Sequence, residues 1–197
     1  GTVSIGSVDI RQMESRYLME QVSFVFQDVY LFKQSIRDNI RLGNQNASDE
    51  QIQAAAKAAQ CHDFIMALPN GYDTVIGEQG IHLSGGEQQR IAIARAIVKD
   101  APVIVLDEAT AFADPENEHL IQKAFEKLMH GKTVIIIAHR LSTVRNADHI
   151  IVMDNGRVAE EGSHDALLQK GGRYTSMWKT YNETASWTMR KEALVNG

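Results

Sequence analysis

The chain has 197 residues, 44% of them hydrophobic, and a formal net charge of -5. One domain of that size buries a sizeable core, and a division into two lobes stays open. The basic residues are scattered, not striped, which argues against a nucleic-acid partner. No run approaches the roughly 18 consecutive apolar residues that cross a bilayer, and the opening does not read as a signal peptide. The single cysteine, Cys61, excludes a disulfide framework or thiolate metal centre within one chain. The seven histidines fall into no paired ligand spacing, so no bound metal of the chain's own is expected.

Thr2 to Ile10 reads as a strand, a turn at Gly6-Ser7 and a short continuation, and Val22 to Phe26 as a second strand running into Gln27-Asp28. The first forty residues are therefore expected to be strand-rich. The chain starts at Gly1, directly in a strand pattern, and the expectation is that a natural N-terminal portion has been removed. From Ser48 the period becomes helical, with Ser48 as N-cap, acids in the first turn, and an alanine-rich helix predicted through Cys61 to about Leu68, where Pro69-Asn70-Gly71 stops it.

Ser84-Gly85-Gly86-Glu87 opens a second helix running to about Lys99. Val103 to Leu106 is a continuous apolar run of the kind covered on both faces. Pro115 to about His130 is helical, Gly131 suits a C-cap, and Thr133 to Ala138 is another uninterrupted buried strand. This is the rhythm of parallel strands joined by helices. Asp154-Asn155-Gly156 between apolar runs predicts a hairpin closing the core, and a short helix begins at Asp165. The last twenty-odd residues read as a helical tail whose Trp178 and Trp187 pack rather than bind a ligand.

Three separated elements are explicable by one ligand, a nucleoside triphosphate with magnesium. Asp107 and Glu108 end a strand at the carboxyl edge of a parallel sheet, where such sheets bind ligands, and paired carboxylates there are costly without a cation. A strand leaving into an acidic loop is the plain alternative. Leu83 to Arg90 places glycines at a helix start, where bare N–H groups and the helix dipole favour an anion. Ser84 and Glu87 are also spaced as a capping box that needs no ligand, whereas the pair Gly85-Gly86 permits close approach by something large and negative. Thr133 to Arg140 delivers His139 to the same edge, where it can bond a phosphate oxygen or a water, or simply cap a strand end.

The ordered set Gln27, Leu83 to Arg90, Val103 to Glu108, Asp114 and His139 resembles the ATP-binding cassette family, over roughly Thr2 to Lys170. The octapeptide from Leu83 is similar to that family's highly specific signature motif. The resemblance implies an α/β fold: a P-loop NTPase (RecA-like) parallel-sheet core with an inserted α-helical subdomain and antiparallel β elements. Residues 1–47 and 102–170 would form the core, 48–101 the helical subdomain and 171–197 a C-terminal helical tail. It implies ATP and Mg2+ as cofactors, with Glu108, His139 and Gln27 catalytic, Asp107 and Gln27 attending the metal, and Ser84, Gly85, Gly86, Glu87 and Asp114 at a partner's nucleotide. The implied partners are a second nucleotide-binding domain, identical or different, and transmembrane domains at the cytoplasmic face of a bacterial plasma membrane.

Thr74 to Gly80 resembles the loop that in exporters touches the membrane domain, and Phe26 to Phe32 followed by Ser35 to Ile40 is also exporter-like. A soluble cassette regulator or repair factor, or a cassette that only supports a partner's site, is the alternative. The sequence departs from the family in lacking a G-x-x-x-x-G-K-[ST] loop. Gly131-Lys132-Thr133 does not supply one, because Glu126 stands where the first glycine belongs and the tripeptide follows a helix. Ala111-Phe112-Ala113-Asp114 also carries a bulkier residue than usual at Phe112, placing the packing there in question.

Overall fold

Glycine sets the first turn: Gly6, at φ +59°, reverses the chain between β1 (Ser4–Ile5) and β2 (Val8–Asp9), which pair antiparallel. A computed structural model describes residues 1–77, 81–107, 115–138 and 141–183. The chain divides into two compact units, Gly1–Ile137 and Ala138–Gly197.

In the first unit, two helices replace part of the strand-rich opening that was expected. These are α1 (Ser15–Gln21) and α2 (Ile36–Arg41), the latter capped by Ser35, whose Oγ accepts the Asp38 N–H at 3.0 Å. Between them runs β3 (Val22–Val25).

The predicted long helix from Ser48 is two helices, α3 (Asp49–Ala58) and α4 (His62–Ala67). Its start is as expected: the Ser48 N–H donates to Gln51 Oε1 at 2.8 Å and the Gln51 N–H returns to Ser48 Oγ at 3.3 Å. Its continuity is not. Gln60 adopts φ +56°, its N–H bonds the Lys57 carbonyl at 3.1 Å, and the Cys61 N–H bonds the Ala56 carbonyl at 2.9 Å. This is the Schellman termination, reached without glycine, and it turns Cys61 fully into the core.

Beyond lie α5 (Gly85–Lys99), β4 (Val103–Asp107), α6 (Pro115–Met129) and β5 (Thr133–Ile137). The sheet order is β3-β4-β5, all parallel, with Val25 beside Leu106 and Leu106 beside Ile136. Val25, Ile104 and Leu106 join Ile91, Ile93, Ile121, Phe125 and Leu128 in one core. Each such aliphatic removed from water contributes about 1.5–3 kcal/mol. The expectation of strands covered on both faces fails, because burial alternates along β4 and β5 and leaves Ile135 53% and Ile137 50% exposed, with Phe24 on β3 open as well. A continuous apolar run is the pattern of a strand covered on both faces, but the residues that cover a face come from elsewhere, and the run alone does not supply them.

The second unit holds α7 (Leu141–Val144) and a hairpin of β6 (Ile150–Asp154) and β7 (Arg157–Gly162). Asn155 and Gly156 at φ +47° and +74° form the turn foreseen from Asn-Gly. The hairpin is a two-stranded sheet of its own over a core of Ile150, Val152, Leu167 and Tyr174. α8 (His164–Lys170) and a helix over 173–183, α9, complete it. Trp178 packs on His164 at 4.6 Å between ring centres, as a packing role requires, while Trp187 lies outside the described residues.

Candidate functional site

Parallel strands end at one edge, and two of the singled-out residues stand there. Val25 pairs with Leu106, so Asp107 is one step past that rung on β4 and Gln27 lies two residues past it, in the bend that follows β3. Asp107, half-buried and paired with Ile137, and Gln27, exposed, therefore share the carboxyl edge. Both carry hard oxygen donors, the kind that suits magnesium. Glu108, Asp114 and His139 lie outside the described residues, as do Phe112 and Glu78 to Gly80.

The turn before α5 is a capping box in full. Glu87 Oε2 accepts from the Ser84 N–H and from its hydroxyl, each at 2.8 Å, and Ser84 Oγ accepts the Glu87 N–H at 3.3 Å. Ser84 and Gly85 face outward and Gly86 is buried. Gly86 has a reason inside the chain to be glycine: a Cβ there would stand 2.8 Å from the Asn117 amide carbon on α6. Asn117 is fixed in turn by Arg90 Nη1, which donates to its Oδ1 at 2.5 Å, while the guanidinium lies 5.3 Å from the Phe64 ring centre. Sequence reasoning missed Asn117, since nothing in α6 marks it as the neighbour of a distant glycine.

Two segments read separately as exporter-like lie side by side. The Ile36 N–H donates to the Thr74 carbonyl at 3.0 Å and the Ile76 N–H to the Gln34 carbonyl at 3.1 Å. Gly77, at φ +129°, closes on the Lys33 side chain. Beside this seam the rings of Tyr30 and Phe32 meet edge to face at 4.9 Å. Cys61 is no nucleophile, because burial pushes its thiol up to about 12.

A family model described as ABC transporter matches residues 1–111. The chain is 54% identical over 175 residues to the ATP-dependent lipid A-core flippase of Acinetobacter baylyi, covering 88% of this chain and 30% of that protein. It is 47% identical over all 197 residues to the beta-(1-->2)glucan export ATP-binding/permease protein of Brucella suis, 33% of that protein's length. It is 51% identical over 180 residues to the mycobactin import ATP-binding/permease protein of Mycolicibacterium smegmatis, covering 91% of this chain and 21% of that protein. A bacterial Atm1-family ABC exporter with ATP bound matches in structure with a TM-score of 0.83 and 44% identity, over 91% of this chain and 32% of that one. The chain thus spans at most a third of the proteins it resembles. A parallel sheet with Asp107 at its carboxyl edge, a glycine-rich helix start and these similarities have one explanation: the chain belongs to the ABC transporter family.

Proposed function

We propose that this chain is the nucleotide-binding part of an exporter that hydrolyses ATP to move a substrate across a membrane. The observation that carries it is the placement of Gln27 and Asp107 at one sheet edge, with Glu108 next in the chain. The names of the flippase, the glucan exporter and the Atm1-family exporter support the direction of transport; one relative is named for import, so direction is part of the proposal.

In this reading Asp107 and Gln27 hold Mg2+ through their oxygens, and the metal, when bound, neutralises phosphate charge. Glu108 accepts a proton from the attacking water or orients it, a role typically contributing about 10²- to 10⁴-fold. His139 donates a hydrogen bond toward the terminal phosphate. The outward-facing Ser84 and Gly85, with Gly86, Glu87 and Asp114, serve the nucleotide of a second such domain, and turnover follows closure of the pair. Residues 1–47 with 102–170 act as the ATP-binding core, 48–101 as the helical subdomain and 171–197 as a tail. The exporter-like segments Phe26 to Phe32, Ser35 to Ile40 and Thr74 to Gly80 meet transmembrane domains from the cytoplasmic face of the plasma membrane.

ATP hydrolysis by the full-length transporter tests this. Glu108→Gln is expected to lower kcat about 10²-fold or more, and unchanged hydrolysis rejects the assignment. The 197 residues contain no glycine-lysine phosphate loop, so calorimetry on the chain alone is expected to show only weak ATP binding. Micromolar affinity contradicts that.

A further inference from the structure

A guanidinium is half-buried on α5 with no carboxylate beside it among the described residues. Arg95 Nε donates to the Asn39 carbonyl at 2.9 Å, Nη2 to Asn39 Oδ1 at 3.2 Å and Nη1 to the Tyr30 carbonyl at 3.3 Å. Burial holds its pKa below the ordinary arginine value. Asn39, fully buried, extends the grip. Its Oδ1 accepts the Phe32 N–H at 2.9 Å, and its Nδ2 donates to the Phe32 and Ser35 carbonyls, each at 3.0 Å. Burying an uncompensated charge is expensive, and an apolar side chain would serve a static α2–α5 contact at lower cost. What an apolar side chain cannot do is hold several main-chain groups in one direction, which the planar fork does.

The gripped segment connects three things. At one end it follows Gln27 at the sheet edge. In its middle it displays Tyr30 and Phe32, 68% and 47% exposed. Through Arg95 it is fastened to α5, a helix of 15 residues whose first turn is the Ser84 box. The contact is incompressible, since a Cβ on Gly43 just after α2 would collide with the Arg95 carbonyl.

We infer that Arg95 and Asn39 are positioning residues that transmit displacement of the exposed Tyr30–Phe32 edge to α5 and so to the Ser84 turn, an inference resting on the ATPase reading above. Neither residue touches nucleotide; they set where the Ser84 turn stands when two domains close. Their loss is therefore felt in turnover rather than in nucleotide affinity.

The experiment uses the full-length transporter in liposomes, with kcat and KM for ATP measured per folded molecule for wild type, Arg95→Lys, Tyr30→Ala and the double variant. Lysine keeps the charge and loses the fork. Arg95→Lys is expected to lower kcat about fivefold or more with KM changed less than about twofold, and the double variant to be no slower than the slower single within about twofold. Wild-type kcat in Arg95→Lys, or losses that multiply in the double variant, overturns the inference, since a merely structural role lowers melting temperature without coupling to Tyr30. If Arg95→Lys does not fold, Arg95→Gln with the same cycle replaces it. Glu108→Gln run in parallel separates the two failures: hydrolysis persisting there sinks the ATPase reading, whereas its loss beside an unaffected Arg95→Lys sinks only the relay.

Discussion

Gly43 illustrates how one residue can hold two helices together by lacking a side chain. It follows α2 and rests on the α5 backbone, where a Cβ would strike the Arg95 carbonyl and stand 3.2 Å from the Lys99 nitrogen. Backbone on a rigid helix cannot yield as a side chain tip can, so Gly43→Ala is an overpacking change. It is expected to destabilise the chain by about 1–3 kcal/mol, read as a lower urea midpoint with unchanged m value. A midpoint equal to wild type would show that the helices separate freely. Gly86 differs in kind, because what it faces is a side chain, Asn117, whose displacement would cost the hydrogen bond from Arg90 Nη1 instead of a shift of helix backbone.

At the level of elements, the second unit contains a joint that acidity should open. Glu160 on β7 accepts the Tyr174 N–H at 3.0 Å and the Arg173 N–H at 2.6 Å, capping α9 from outside it. Those bonds, the one from Tyr174 first, hold its carboxyl below the ordinary glutamate value. The folded pKa is depressed, so the stabilisation is complete above the unfolded value of about 4.3 and disappears as pH falls through the folded one. Glu160→Gln should therefore lower the urea midpoint by a constant amount between about pH 5 and 8, and the gap to wild type should shrink below about pH 4. A gap independent of pH would mean that the carboxylate charge contributes nothing. The break between α3 and α4 belongs to the same scale: two main-chain hydrogen bonds, from Gln60 to Lys57 and from Cys61 to Ala56, outweigh the cost of φ +56° at Gln60.

For the molecule, the uncovered face of the parallel sheet matters most. Phe24 stacks on Phe26 at 5.6 Å, and Ile135 and Ile137 stand on β5 two strands away, all exposed. Apolar patches of this kind promote association. The chain by itself is expected to bind a hydrophobic dye and to show concentration-dependent sedimentation, and Ile135→Thr with Ile137→Thr to reduce both. Threonine preserves strand propensity while removing apolar surface. Monomeric sedimentation at all concentrations would indicate that the face is harmless.

Local chemistry was legible in the sequence because it depends on neighbours in the chain. The Ser48 and Ser84 caps, the Asn155-Gly156 turn and the strand ending in Asp107 follow from residues a few positions apart, and the family is legible from the order in which such local motifs succeed one another. Tertiary structure alone decided what depends on distant partners: that Gln60 ends α3, that Asn117 stands against Gly86, that Arg95 reaches back to Tyr30, and that one face of the β-branched strands stays open. Hydrophobic periodicity records how a segment alternates, whereas a second layer or a buried donor's acceptor comes from elsewhere in the chain, and no local pattern encodes its arrival.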